Sequence, residues 1–333
     1  MQISVKTVEN AYEQLLLEGY IRSEEKRGYY VNKIAVVTGG APGYAAPVKR
    51  FQEETYLADL TANNIRYDRF PFATLAKVMR ETLTDYNTSL LKTVPFNGVL
   101  QLREAIADHL NRYRGMQVSA DHIIIGAGTE YLYNRLLQLL GPDVKFGVEN
   151  PGYRKITKIY DENGVDWDYV NIDDKGMKVD ELRIGYMVLP EKLMEKYIST
   201  MNFYSCTVSG FEQYAMAAFI EKGYFERHIK RLVNDYRGRR EKICRMFRES
   251  RLNEISTIYQ DDAGTHFLLH VKTSLSDVEI KWAVRQKGIL INCLSEYCFA
   301  DADKYHGILV IHYSDMDEAT LKLVIAAFEE IFL

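Results

Sequence analysis

Apolar residues recur at helical spacing from the start of the chain. Val5, Val8, Tyr12, Leu15 and Leu16 share one face of SVKTVENAYEQLLLEGY, which predicts a helix capped by Ser4 and stopped at Gly19. IRSEE and YYV then read as two short strands around a polar KRG turn containing Gly28. Residues 34–50, with Gly39, Gly40, Pro42, Gly43 and Pro47, read as a linker. From about residue 56 the pattern is α/β. FATLAKVMRETL and LQLREAIADHLNRYR are amphipathic helices, and HIIIGAG is a short buried strand that opens into the helix TEYLYNRLLQLLG. VKFGVENP and VDWDYVNID are strands joined by the helix YRKITKIYDENG, which ends at Gly164, and RIGYMVLP is a further strand. Residues 210–250 form a long helical stretch. THFLLHV, a helix near 276–287, the strands GILINCL and GILVIHY, and the helix DEATLKLVIAAFEEIF complete a two-layer α+β unit. Leu321, Val324, Ile325 and Phe328 form the packing face of that last helix.

This division gives four parts: a helix-and-wing unit at 1–33, the linker 34–50, an α/β large domain at 51–209, and a long connecting helix with an α+β small domain at 210–333. A helix that runs into a two-stranded wing is the second half of a winged helix-turn-helix.

Composition narrows the function classes. The chain has 333 residues, 47% apolar and 26% charged, which excludes collagen-like, disordered and disulfide-scaffold proteins. Lys plus Arg is 42 against 46 Asp plus Glu, a net charge of −4, so any nucleic-acid contact has to be local. Cys206, Cys244, Cys293 and Cys298 show neither a CxxC pair nor zinc-ligand spacing. His266, His270 and His312 fall singly on strands, so no metal is expected. No apolar run approaches a bilayer span and MQISVKTVENAYEQ lacks a signal-peptide segment, so a cytoplasmic location is expected.

Two constellations carry candidate chemistry. Ser4, Lys6, Thr7 and Asn10 lie on the polar side of the first helix's start, with Lys26 and Arg27 at the wing tip. These are suitable donors to phosphates and base edges. The second is Gly126-Ala127-Gly128-Thr129-Glu130, between a strand and a helix, where free backbone N–H groups form a phosphate cradle. A dinucleotide-binding reading, with Glu149 as the ribose acid, fails because Tyr131 stands where GxGxxG needs its third glycine. The basic run Arg227, His228, Lys230, Arg231, Arg237, Arg239, Arg240, Lys242 and Arg245 is interleaved with Glu226, Asp235 and Glu241, and reads as a solvated, salt-bridged helix face.

SVKTVENAYEQLLLEGYI and KRGYYV resemble the recognition helix and wing of GntR-type repressors. FNGVLQLREAIADHL, IIIGAGTEYLY, VENPGY, LRIGYMVLPEKL and EQYAMAAFIEKGYFERHIKRLVNDYRGRREKI follow in the order of the MocR (GabR-like) regulators. In that subfamily a winged helix is fused to a fold-type-I aminotransferase domain that binds pyridoxal 5′-phosphate. The resemblance implies a fold-type-I transferase-like large domain with an α+β small domain, preceded by a partial winged helix-turn-helix. It implies that Gly128, Thr129 and Glu130 form the cofactor's phosphate cradle, that Tyr153 stacks on its ring, and that Arg183 pairs with its phosphate. Operator DNA, a small amino compound as effector and a homodimer are the implied partners.

The sequence departs from that family in two places. The family's first two helices have no counterpart before Met1, so half of a DNA-binding domain is expected. Between Glu181 and Leu182 the family carries a segment of roughly 80–90 residues, at about 30 per βαβ unit. It holds three central strands, the aspartate on the pyridine nitrogen and the lysine that bonds the cofactor. Lys155, Lys158 and Lys192 do not stand at that lysine's position, so covalent attachment and transamination are not expected. The family's strand order puts HIIIGAG and RIGYMVLP on one side of the gap and VKFGVENP and VDWDYVNID on the other. These halves are expected either to close into a four-stranded sheet or to fold poorly. The reading is a GntR/MocR-type regulator, catalytically inactive. The alternatives are a pyridoxal-phosphate aminotransferase acting on an amino acid or amine, and a non-functional remnant.

Overall fold

The computed structural model describes residues 5–24, 26–32, 55–61, 69–171, 184–259, 264–314 and 316–333. It comprises two compact units, Met1–Glu54 and Thr55–Leu333. Ser4 and the 34–50 linker lie outside the described residues.

In the first unit α1 spans Val5–Leu17. It ends as the sequence requires: Gly19 takes φ +74°, with its N–H bonded to Leu16 O at 3.1 Å and the Tyr20 N–H to Leu15 O at 3.0 Å. This paired closure satisfies orphan carbonyls of the last turn and needs a left-handed residue, which glycine supplies without strain. β1 (Ile21–Glu24) and β2 (Gly28–Val31) pair antiparallel, Ile21 opposite Val31 and Glu24 opposite Gly28. The Tyr12 ring lies 4.8 Å from that of Tyr29, and the Asn32 amide donates to Gly19 O at 2.9 Å, tying helix to wing. Val8, Tyr12 and Leu15, expected on a packing face, stay exposed within this unit because the short wing covers too little of the helix.

The second unit begins with β3 (Ala58–Asp59), α2 (Phe72–Tyr86), α3 (Leu100–Arg114), β4 (Ile123–Gly126) and α4 (Thr129–Leu140). β5 (Phe146–Asn150), α5 (Arg154–Glu162), β6 (Trp167–Asn171) and β7 (Gly185–Val188) follow. α6 (Glu191–Met201), which the sequence pattern left unassigned, precedes α7 (Gly210–Glu221) and α8 (Tyr224–Glu249). The chain closes with β8 (Ser256–Tyr259), β9 (His266–Val271), α9 (Asp277–Gln286), β10 (Ile289–Leu290), β11 (Asn292–Cys293), β12 (Ile308–His312) and α10 (Glu318–Phe332).

β4 pairs antiparallel with β7, and β5 pairs parallel with β6. Among the described residues no ladder joins these pairs, so closure into a four-stranded sheet, one of the two outcomes expected, is not formed there. The two pairs pack into separate cores. Ile123 and Ile125 sit with α3 and α7 residues such as Leu102, Leu110 and Ala217, while Ile124 sits with Met194, Tyr197 and Met201 of α6. Burying each such isoleucine contributes about 1.5–3 kcal/mol, so β4 is held by helices on both faces. Val148 of β5 packs instead with Leu137, Tyr160 and Val165.

The C-terminal part has a four-stranded antiparallel sheet in the order β11-β12-β9-β8. Its Phe267, Leu269, Leu309 and Ile311 face α8, α9 and α10 in one core with Phe247, Ile280 and Phe328. GILINCL, expected as a single strand, divides: β10 pairs parallel with β3, and β11 pairs with β12. Ile291 between them is buried, and anchoring there lets neighbouring residues serve two sheets. β3 thus pairs with a strand of the small-domain region although it lies at the start of the 51–209 segment.

Candidate functional site

On the helix-and-wing unit, Lys6 and Asn10 are exposed on α1, and Lys26 and Arg27 are exposed at the wing tip. Ser4 lies outside the described residues, as does the Thr7 side chain. Lys26 takes φ +61°, so a non-glycine residue forms the left-handed corner of the wing loop. Arg27 lies 3.9 Å from Glu24, and the Arg22 guanidinium stands 5.5 Å from the centre of the Tyr30 ring. The wing therefore presents cations at its tip and aromatic rings along its strands. Within the second unit, part of the basic run on α8 is paired. Lys230 pairs with Glu226 at 3.7 Å, Arg239 with Asp235 at 3.9 Å and Lys242 with Glu318 at 2.5 Å, while His228 is buried against Phe70.

In the second unit the strand–turn–helix forms as the glycine pattern predicts. Gly128 is the N-cap of α4 with φ +87° and ψ +169°, a region open essentially to glycine. The first helical bond runs from the Leu132 N–H to Gly128 O at 3.3 Å, so the Thr129, Glu130 and Tyr131 N–H groups precede the helical ladder. A Cβ on Gly185 of β7 would come within 3.2 Å of the Gly128 carbonyl carbon, so the neighbouring strand backs directly onto the turn. The Ala127 N–H donates to Thr207 Oγ1 at 3.1 Å. Thr207 is itself fixed by what flanks it. The Cys206 thiol reaches Ile125 O at 3.6 Å, and fully buried Gln213 donates to Val208 O at 2.9 Å. Gln213 Oε1 also accepts the Val99 N–H at 2.8 Å, binding α3's start to the same network. Burial pushes the Cys206 thiol above its ordinary pKa, so it is a packed neutral donor.

Glu130 is exposed, and Lys155 Nζ of α5 lies 3.6 Å from its carboxylate. That contact brings the α5 start to the α4 start, with Tyr153 as the N-cap residue of α5. Tyr153 is half-exposed, its ring edge-on to Tyr297 at 6.4 Å. The preceding turn carries a cis Asn150–Pro151 bond and is clamped by the 296–300 segment. The Phe299 N–H donates to Asn150 Oδ1 at 2.8 Å, and Arg154 donates to Glu296 O at 2.6 Å and Cys298 O at 2.8 Å. The Lys155–Glu130 pair thus links the start of α4, with Gly128, Thr129 and Glu130, to the start of α5, which Tyr153 precedes. Arg183 lies outside the described residues. Thr207 and Gln213, which position the turn, went unread in the sequence because their contacts span long stretches of chain.

Elsewhere, His266 and His312 face each other across β9 and β12 with rings 5.1 Å apart. Burial, with His266 alongside, holds His312 down to about 4. Among the described residues no three His, Cys, Asp or Glu side chains converge as a metal site, and no helix is long and apolar enough to cross a membrane.

Residues 56–182 match the family aminotransferase class I and II. The chain is 24% identical to the uncharacterized HTH-type transcriptional regulator YdeL of Bacillus subtilis over 376 aligned positions, covering 87% of this chain and 81% of YdeL. It is 22% identical to the probable rhizopine catabolism regulatory protein MocR of Rhizobium meliloti over 431 positions, covering 99% of this chain and 87% of that protein. The structure of Pyrococcus horikoshii kynurenine aminotransferase in complex with PMP superposes with a TM-score of 0.71 at 16% identity, over 84% of this chain and 91% of the other. The chain's homologues are thus GntR/MocR-type helix-turn-helix regulators over most of its length, with an aminotransferase class I and II domain. The fold is that of the fold-type-I pyridoxal-phosphate aminotransferases. Since 87% of 333 residues is about 290, an alignment of 376 positions leaves about 86 positions of YdeL opposite gaps in this chain.

Proposed function

We propose that this chain is a GntR/MocR-type DNA-binding transcriptional regulator, homodimeric and cytoplasmic, whose aminotransferase-like domain binds pyridoxal 5′-phosphate and a small amino compound without transaminating it. The carrying observation is that one chain joins a helix-and-wing unit with exposed Lys6, Asn10, Lys26 and Arg27 to a glycine-capped α4 within an aminotransferase fold. Ser4 and Thr7 complete the proposed DNA-contacting set by their place in the sequence.

The residues present fit the phosphate end of the cofactor. Gly128 leaves the turn open, and the Thr129 and Glu130 N–H groups head the helix, where a phosphate gains from both hydrogen bonds and the helix dipole. Tyr153 would stack on the ring, and Arg183 would supply the paired cation. When bound, pyridoxal phosphate supplies an electrophilic aldehyde and an electron-withdrawing ring. The family's lysine is missing from this sequence. In support, the family match ends at residue 182, beside the inferred junction, and about 86 aligned positions of YdeL have no counterpart. The chain's own groups therefore bind and orient; none is assigned a proton transfer.

Binding of the amino compound would shift how the winged helices sit on an operator, a coupling between two sites in two states. The test is selection of duplexes from a random pool by the full chain, followed by anisotropy titrations with and without pyridoxal phosphate. Enrichment of a defined sequence whose affinity changes with the cofactor supports the reading. Binding with no sequence preference would overturn it.

A further inference from the structure

We infer that Thr207 is a further phosphate ligand of the α4 cradle, acting both through its hydroxyl and by fixing the turn. The inference rests on the pyridoxal-phosphate reading above and adds a residue that the glycine turn does not contain.

Thr207 Oγ1 accepts the Ala127 N–H at 3.1 Å, immediately before the cradle glycine. A hydroxyl has one proton to donate besides its lone pairs, so accepting from Ala127 leaves the Thr207 O–H available. The residue is exposed beside the turn, while its neighbours Cys206 and Val208 are anchored to Ile125 and Gln213. The hydroxyl is thus presented at the turn by a rigid, buried network, as a positioned ligand requires. The Gly128 N–H is already bonded to Gly126 O at 2.9 Å, which removes one amide from the cradle's donors. A phosphate monoester presents three acceptor oxygens, and a hydroxyl beside the helix start supplies the donor that the turn lacks.

The experiment compares pyridoxal phosphate with pyridoxal, which differs only in the phosphate, by quenching of intrinsic fluorescence in the full chain. The variants are Thr207→Val and Thr207→Ser. For Thr207→Val the preference for the phosphorylated form should fall about tenfold, the size of a hydrogen bond to a charged group. Pyridoxal affinity should be unchanged, and Thr207→Ser should restore the preference. If Thr207→Val keeps the wild-type preference, the inference is overturned. It is equally overturned if the variant loses both ligands in proportion with a lowered Tm, since that marks a purely structural role. A wild-type chain that binds both compounds equally would overturn the cofactor reading itself, and the two failures are distinguishable.

Discussion

Lys155 Nζ of α5 lies 3.6 Å from Glu130 Oε1 at the start of α4, so a cation and an anion meet at the mouth of the proposed phosphate cradle. Both side chains are largely exposed, and such a pair contributes between zero and about 1 kcal/mol to folding. Its effect falls on anion affinity. Glu130 repels a phosphate that Lys155 attracts. Lys155→Ala should weaken binding of inorganic phosphate, and Glu130→Gln should strengthen it, each by about two- to fivefold at low salt. Calorimetric titration at two ionic strengths checks this. Equal affinities across the three proteins would place the anion elsewhere.

Gly128→Ala tests the turn itself. An alanine at φ +87°, ψ +169° is strained by about 1–3 kcal/mol, and relieving the strain would rotate the Thr129 N–H away from the site. The variant should show a lower Tm and lose its preference for pyridoxal phosphate over pyridoxal. Retained preference at wild-type stability would rule out a role for this backbone geometry.

Stability should depend on pH through His312. Its folded-state value of about 4 lies below the ordinary 6.5 of an imidazole, because burial disfavours the charged ring and His266 adds to that. Protonation therefore favours the unfolded chain. The contribution is complete above about pH 6.5 and is lost as the pH falls toward 4, by about 3 kcal/mol at most. Denaturant melts between pH 7 and 4.5 should show this loss, and His312→Leu should flatten it. An unchanged slope in His312→Leu would assign the acid sensitivity to other groups.

The wing makes a separate prediction. If Lys26 and Arg27 contact the DNA backbone, replacing either with alanine should weaken binding to all duplexes alike and reduce the salt slope by about 1. Asn10→Ala should instead reduce discrimination between sequences, because an amide on a recognition helix reads base edges. Anisotropy titrations over a salt series separate the two effects.

Much of the architecture was legible because it follows from local rules. Gly19 and Gly164 stop helices through left-handed closures, and the apolar faces of α3 and α10 follow helical spacing. α6 follows Pro190 directly after the strand RIGYMVLP, and the packing of Met194, Tyr197 and Met201 beneath β4 reveals its helical face. β3 is a two-residue strand whose identity depends on β10, a partner far away in sequence.

By itself, the sequence determined the helix-and-wing unit and the strand–glycine–helix turn, since spacing and glycine act within a few positions. Only the tertiary structure decided that, among the described residues, the strands form two separate pairs, that Lys155 faces Glu130, and that Thr207 holds the Ala127 amide of the turn. Those outcomes depend on which distant segments share a core. Hydrophobic burial is non-directional, so side-chain pattern selects what is buried, while chain topology selects what it meets.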